Sequence, residues 1–306
     1  MNELNLIVID GKLIPAEEAT VSAFDPGFLY GETIFTTLGV KNSSCCFLER
    51  HLKRLLSMAS VLKLPSLPRP EQLRDGAELL LSSISGSPRL LRITLTPGHL
   101  SGYRLDRDVP GPSSWIIAPI FRTEPDIRFY QSGVSTEIAT IPALPSRDPR
   151  TFLKTGNLLL SRWLRKRKPP SRFEILMKNS RGYLLEGTVS NLFFLLRDNT
   201  VLTPPEHWGV LPGVIRSVLI EILAQREIPL RWGSLTTRTL DRAKGAFLTN
   251  SYLELLPVRN IFPSAADLDL PEEGERSPLW QSEGDHALFS LLHSDILRLE
   301  KEERRE

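Results

Sequence analysis

Cysteine is almost missing from this 306-residue chain: there are two, adjacent at Cys45 and Cys46. Neighbouring cysteines rarely bridge, and two cannot build a framework, so a disulfide scaffold is excluded. There is no CxxC and no HExxH, and the five histidines (51, 99, 207, 286 and 293) are scattered, so no metal centre is expected. No apolar run approaches bilayer-spanning length, and the first residues form no basic-then-apolar leader. An excess of one charge is lacking as well. Lys and Arg number 38 against 36 Asp and Glu, a net charge of +2, which gives no case for nucleic acid or a membrane as the main partner. These absences lead to the expectation of a reducing, cytoplasmic setting. The one local surplus, Arg162 to Lys168, reads as the cationic last turn of a helix ahead of Pro169-Pro170, where the helix dipole favours it.

What the chain does hold is enough apolar sequence, 41%, for one large domain or two ordinary ones. Leu6 to Ile14 reads as a hairpin around Asp10-Gly11. Strands are expected at Thr33–Val40, Cys45–Leu48, Leu90–Thr96 and Trp115–Phe121, with helical periodicity over Arg50–Leu62 and Glu71–Ser83. The polar stretch Arg122–Asp126 marks a linker, dividing the chain into domains 1–124 and 125–306. Beyond it, strands are expected at Val134–Ile141, Phe173–Lys178, Tyr183–Leu185, Asn191–Leu196 and Ala246–Thr249. Helices are expected at Phe152–Lys168, Val214–Glu227 and Ala287–Leu299, the last ending in a frayed charged tail.

Three segments carry chemistry. Lys154 follows the proline-rich loop Pro142–Pro149, at the expected start of an apolar helix, with Asn157 one turn on. Apolar surroundings disfavour an ammonium and release free amine for nucleophilic attack. Glu186 ends the strand Tyr183–Leu185, where a carboxylate can keep a pyridine nitrogen protonated. Gly213-Val214-Ile215 opens a helix behind Pro212, and its free N–H groups and positive dipole end suit an anion. Thr249-Asn250-Ser251 offers small donors after a buried strand, and Arg54 could add a charge-assisted contact to phosphate. An amine, an acid for a ring nitrogen and an anion cradle are what pyridoxal 5'-phosphate (PLP) requires of a protein.

In order and spacing these pieces resemble the fold-type IV PLP enzymes, the class IV aminotransferase family of branched-chain and D-amino acid aminotransferases and 4-amino-4-deoxychorismate lyases. The matching stretches, from about Ile9 to Val258, are Asp25 to Phe35, His51-x-x-Arg54, Lys154-x-x-Asn157, Glu186-Gly-x-x-Ser190-Asn191-x-Phe193, Leu211 to Arg216, and Pro257-Val258. The resemblance implies an α+β fold with a small N-terminal α/β domain and a larger C-terminal pseudo-barrel, the cofactor in the cleft between them, and a homodimer. It implies Lys154 as the Schiff-base lysine, Glu186 as the partner of the pyridine nitrogen, and Leu211 packed on a ring face. Arg54, Gly213, the Val214 and Ile215 backbone, Asn250 and Ser251 would hold the phosphate end. Phe35-Thr36-Thr37, Asn250 and Ile215 are lyase-like within the family. The activity expected is therefore the lyase reaction that forms 4-aminobenzoate and pyruvate in folate biosynthesis. A branched-chain or D-amino acid aminotransferase is the alternative, and a non-catalytic binding protein a distant one. Pro97 stands where many family members carry a carboxylate-binding arginine. His99, Tyr103, Arg104 and Arg107 are the nearby substitutes, and Tyr30, Phe35, Thr36 and Thr37 complete the substrate candidates.

Overall fold

Both residues of the Asp10-Gly11 turn take positive φ, 50° and 82°, the backbone that suits a two-residue hairpin to the twist of its strands. The turn joins β1 (Leu6–Ile9) to β2 (Lys12–Pro15). The Asp10 carboxylate then accepts from the Trp115 N–H (2.8 Å) and the Ser114 hydroxyl (2.9 Å), fixing the hairpin to a later strand. The structure, a computed structural model, describes residues 6–100, 102, 111–141, 152–263, 277–284 and 287–304. The proline-rich loop 142–149 and the candidates Tyr103, Arg104 and Arg107 lie outside those residues. The chain divides into two compact units: Met1–Glu124 with Leu153–Asn157 and Glu300–Glu306, and Pro125–Phe152 with Leu158–Leu299.

The first unit adds α1 (Pro26–Tyr30), β3 (Ile34–Lys41), β4 (Ser44–Cys45), α2 (Leu48–Val61), α3 (Pro70–Ser83), β5 (Leu90–Thr96) and β6 (Ser114–Ile120). Its sheet runs β2-β1-β6-β5-β3-β4. The stripe Leu52, Leu55, Met58 and Ala59 of α2 is buried. So is the alternate set Ile34, Leu38, Leu91, Ile93 and Leu95 of β3 and β5, and together they account for the core of this unit. Cys46 is buried and Cys45 partly so. Burial pushes the thiol of Cys45 up to about 12 and that of Cys46 higher still, which keeps both protonated and inert.

The second unit contains α4 (Ile127–Ser132), β7 (Val134–Thr140), α5 (Leu159–Arg167), β8 (Glu174–Lys178), β9 (Leu184–Gly187), β10 (Asn191–Leu196), β11 (Val201–Thr203), α6 (Val214–Gln225), β12 (Leu230–Trp232), β13 (Ala243–Asn250), β14 (Glu254–Phe262), β15 (Trp280–Gln281) and α7 (Ala287–Glu303), whose last turn groups with the first unit. Its sheet runs β12-β11-β10-β13-β14-β7-β8-β9, and β9 also pairs with β10. Six strands thus close on themselves in the pseudo-barrel that the resemblance implied. One face buries Leu192, Phe194, Leu248 and Leu256 in a single cluster. On the opposite face Phe247 packs on Phe289 of α7. Strand β14 is absent from the sequence reading because Pro257, Arg259 and Asn260 break its apolar pattern.

Two expectations are corrected. The helix read from Phe152 begins only at Leu159. Lys154 lies instead in an extended segment alongside β3, where Phe35 N–H donates to the Lys154 carbonyl (2.9 Å) and Gly156 N–H to the Thr33 carbonyl (3.2 Å). Gly156 makes this approach possible, since a Cβ there would stand 2.3 Å from Thr33 Oγ1. Sheet bonding overrides the local helical pattern. The charged tail also does not fray at Glu300. The buried Glu300 accepts from Lys41 Nζ (3.0 Å), and Arg50 Nε donates to Glu303 (2.8 Å).

Candidate active site

Alternation along β3 sends its three site candidates to two sides of the sheet. Thr36 shares the buried side with Ile34 and Leu38. There its hydroxyl lies 2.6 Å from His51 Nδ1 and accepts from Arg54 Nη2 at 2.9 Å. A guanidinium can only donate, so the Thr36 oxygen accepts from Arg54, while the Thr36–His51 hydrogen bond suits either tautomer of a neutral ring. Burial holds the His51 imidazole well below its usual range, and the charges of Arg54 and Lys154 act in the same direction. Burial lowers Arg54 to about 10, which leaves it a cation at neutral pH. Thr36 thus has its hydroxyl engaged on the buried side of the sheet. It fixes the rotamer of Arg54.

Phe35 and Thr37 occupy the other side. The antiparallel bridge between Ile34 and Thr155 sets Lys154 directly across from Phe35. Lys154 Nζ stands 4.9 Å from the centre of the Phe35 ring. Thr94 and Arg92 pair with Phe35 and Thr37 in register, so both belong to this same face. Tyr30 ends α1, and Gly31 behind it takes a left-handed φ of 72° beside Asn157. His99 belongs elsewhere. It bonds Ser22 (2.8 Å) and lines a cavity of about 570 Å³ together with Asp10, Asp25 and Thr96, but not with Lys154 or Phe35.

In the second unit Glu186 is part of β9, opposite Asn191 of β10. Its Oε2 accepts from Asn191 Nδ2 (2.9 Å) and from the Leu211 N–H (3.1 Å). Asn191 Nδ2 also donates to the Leu211 carbonyl (2.9 Å). A Cβ on Gly213 would lie 2.0 Å from Asn191 Oδ1. One asparagine thus ties the carboxylate, Leu211 and the glycine that opens α6. The sequence reading quoted Asn191 in its motif but gave it no role. It missed Glu174 as well. Buried Glu174 accepts from Thr188 (2.6 Å), Ser190 (3.1 Å) and Arg165 (3.0 Å), and so shapes the Gly187–Ser190 turn. Three polar residues converging on a buried carboxylate carry no sequence period, so only the fold reveals them.

Gly213 caps α6 without a side-chain hydrogen bond, so the first N–H groups of the helix, on Val214 and Ile215, remain available to an anion. Thr249 pairs with Asn191 in register, which places its side chain on the face where Asn191 meets Gly213. Its buried Oγ1 has no hydrogen-bond partner among the described residues, and a buried hydroxyl normally has one. That orphan, the cradle that Gly213 leaves open and the uncapped helix start suit a phosphate. Asn250 is different. Its Oδ1 accepts from Tyr252 N–H (2.9 Å) and Leu253 N–H (2.8 Å), and its Nδ2 donates to the Val189 carbonyl (3.2 Å). The side chain is occupied in shaping the turn that presents Ser251. Among the described residues no cluster suits a metal ion, and no helix is long and apolar enough to cross a membrane.

The model of the amino-transferase class IV family matches residues 33–261. The chain belongs to that family and is an enzyme of the PLP-dependent class it comprises. Two relatives divide between the activities of the class. The D-alanine aminotransferase of Bacillus licheniformis is 23% identical over 83% of this chain and 88% of its own. The aminodeoxychorismate lyase of Bacillus subtilis is 23% identical over 84% and 86%. The solved 4-amino-4-deoxychorismate lyase of Pseudomonas aeruginosa is 25% identical, with a TM-score of 0.75 over 96% of this chain and 98% of that one.

Proposed function

We propose that the protein is a PLP-dependent 4-amino-4-deoxychorismate lyase. The observation that carries this reading over an aminotransferase for branched-chain amino acids is the polarity of the Lys154 face. Around Phe35 it presents the Thr37 and Thr94 hydroxyls and the Arg92 guanidinium, which suits a substrate with two carboxylates better than an aliphatic side chain. The likeness to the two lyases supports it.

Bound PLP supplies an electrophilic carbon and an electron-withdrawing ring. Lys154 Nζ would be the amine that holds PLP covalently, and as a free amine it would be the general base that takes the proton from the amine-bearing carbon of the substrate. Glu186 would keep a proton on the pyridine nitrogen, and the two donors on its Oε2 help to fix its direction. Arg54 would offer the phosphate a cation, Ser251 and the Val214 and Ile215 N–H groups would offer it donors, and Leu211 would offer the ring an apolar contact. As the substrate's C–O bond breaks, the proton on Lys154 Nζ passes to the departing enolpyruvyl group, which leaves as pyruvate, and the remaining ring becomes aromatic. Nothing is oxidised or reduced overall and no second substrate is consumed. The proposal includes a homodimer in the cytoplasm.

The deciding experiment mixes purified protein and PLP with aminodeoxychorismate and no 2-oxo acid. Release of 4-aminobenzoate and pyruvate in equal amounts is the expected result. Turnover that appears only with an added 2-oxo acid, using leucine or D-alanine as donor, would replace the lyase by an aminotransferase.

A further inference from the structure

We propose that Arg216 is a positioning residue for Glu186: it fastens the segment 204–211 to α6 and so holds the Leu211 N–H on the carboxylate. The inference rests on the reading of Glu186 as the partner of the ring nitrogen. It gives a task to Arg216, which closes one of the matched stretches and has none in the site described above.

Two features set Arg216 apart. It lies in the first turn of α6, where the positive end of the helix dipole disfavours a cation. It is also almost wholly buried, at 2% exposure, and its Nε meets no hydrogen-bond partner among the described residues. Both features cost stability, so the contacts that the residue does make must offset them. Nη2 donates to the Pro204 carbonyl at 3.0 Å and Nη1 to Glu206 Oε1 at 2.8 Å. The Trp232 ring lies 5.3 Å from Cζ. Both terminal nitrogens thus engage one stretch of chain, not an anion at the start of the helix.

That stretch leads from β11 to Glu186 in short links. Pro204 follows Thr203, the end of β11, whose hydroxyl donates to the Leu192 carbonyl at 2.9 Å. The Glu206 carbonyl accepts from the Gly209 N–H (2.8 Å) and the Val210 N–H (3.3 Å). Gly209 takes a left-handed φ of 89°, which turns the chain there. Leu211 comes next, and its N–H reaches Glu186 Oε2 at 3.1 Å. Anchoring Glu206 therefore anchors the residue before Leu211. Charge acts alongside. Burial lowers the affinity of Arg216 for its proton, and Glu206, then the charge of Glu186, oppose that. Attraction between charges is mutual, so the guanidinium is a fixed positive charge acting on Glu186 from within the same compact unit.

Hydrogen exchange at the Leu211 amide of the PLP-loaded full chain tests the assignment. Arg216→Met removes the charge and both donors, and Leu211 should then exchange about tenfold to a hundredfold faster, the loss expected for hydrogen bonds to a charged group. Arg216→Lys, which keeps the charge but not the planar fork, should lie between. Glu206 is half exposed, so Glu206→Ala removes one anchor without disturbing the core and should quicken Leu211 by about threefold to tenfold. Wild-type exchange at Leu211 in Glu206→Ala overturns the proposal, whether or not Arg216→Met folds. The NMR shift of PLP labelled at its pyridine nitrogen gives a second readout, because it reports the proton on that atom and not the amount of folded protein. Arg216→Met should move it toward the unprotonated position, and Glu186→Gln should move it further. A shift unchanged in Glu186→Gln would sink the role of Glu186, while exchange at Leu211 would still report on Arg216. A shift that moves in Glu186→Gln but not in Arg216→Met overturns the proposal and leaves the role of Glu186 standing.

Discussion

The two groups proposed to act at opposite ends of one cofactor ring are held in opposite ways. Lys154 is positioned by backbone: a β-bridge, two main-chain hydrogen bonds to β3 and a glycine that lets the strands touch. Its four-carbon side chain extends over an aromatic ring. Glu186 is positioned by side chains and backbone together, with two donors on one carboxylate oxygen and Asn191 joining it to Leu211 and Gly213. The difference follows from the work. A general base has to swing between the cofactor carbon, the substrate proton and the leaving group, so its root is fixed and its tip is left mobile. A partner for a ring nitrogen must not move, because its effect depends on a steady charge at one place.

That contrast can be broken most severely at the lysine. Lys154→Ala leaves the strand bridge intact, because the bridge uses main-chain atoms. We expect kcat to fall by about 10³–10⁴-fold with a melting temperature close to wild type. A variant that lost activity only in proportion to its loss of folded protein would mean that the residue is structural. Gly213→Ala comes next. Its φ of −68° is ordinary for alanine, so any damage comes from space alone, the added Cβ standing 2.0 Å from Asn191 Oδ1. Either Asn191 or the start of α6 must shift, at a cost of about 1–3 kcal/mol, and PLP affinity should drop with stability. Normal PLP binding in a normally stable Gly213→Ala protein would show that the cradle is looser than drawn.

How much of this arrangement was legible in the sequence depended on what fixes each part. Turn chemistry and periodicity gave the hairpin at Asp10-Gly11, the strands Leu90–Thr96 and Asn191–Leu196 and the start of α6 at Val214, because those signals are local. The motif order named Lys154, Glu186 and Gly213 in the same way. The conformation at Lys154 was misread as helix, since its strand partner lies about 120 residues away and pairing over that distance leaves no local trace. The split of Phe35-Thr36-Thr37 between two faces follows from the two-residue period of a strand, but which face meets α2 is a tertiary fact. Arg92 gave no signal at all. A lone arginine in a strand becomes informative only when its register with Phe35 and Thr37 is known.

Asn191 tests the rigid half directly. Asn191→Ala removes one donor to Glu186 Oε2 and the link to Leu211, and leaves the Leu211 N–H donating to that oxygen. Loss of a hydrogen bond to a charged group is worth about 1.5–3 kcal/mol, so PLP should bind roughly tenfold to a hundredfold more weakly. Asn191→Asp would be worse, because a second carboxylate would face Glu186 with no proton to share at neutral pH. If Asn191→Asp retained PLP better than Asn191→Ala, the carboxylate of Glu186 would not be ionised, and its role as partner of a protonated ring nitrogen would fail.

The smallest effect concerns the hidden support of Arg54, the arginine proposed for the phosphate. His51 is fully buried and neutral, held there by desolvation first and by Arg54 and Lys154 second. In the unfolded chain the same ring takes up a proton as pH falls through 6.5. Below that pH the unfolded state binds one proton more than the folded state, so stability falls with falling pH by up to about 1.4 kcal/mol per unit from this residue, until the folded ring itself protonates. His51→Asn keeps an acceptor for the Thr36 hydroxyl and removes the titration. Denaturant melts from pH 7.5 to 5 should therefore show a shallower acid loss in His51→Asn than in the wild type, even if the variant starts less stable because of the smaller side chain. Parallel pH profiles would mean that the folded ring takes up its proton as readily as the unfolded one. In that case the hydrogen bond between Thr36 and His51, and with it the chain that sets the rotamer of Arg54, would need redrawing.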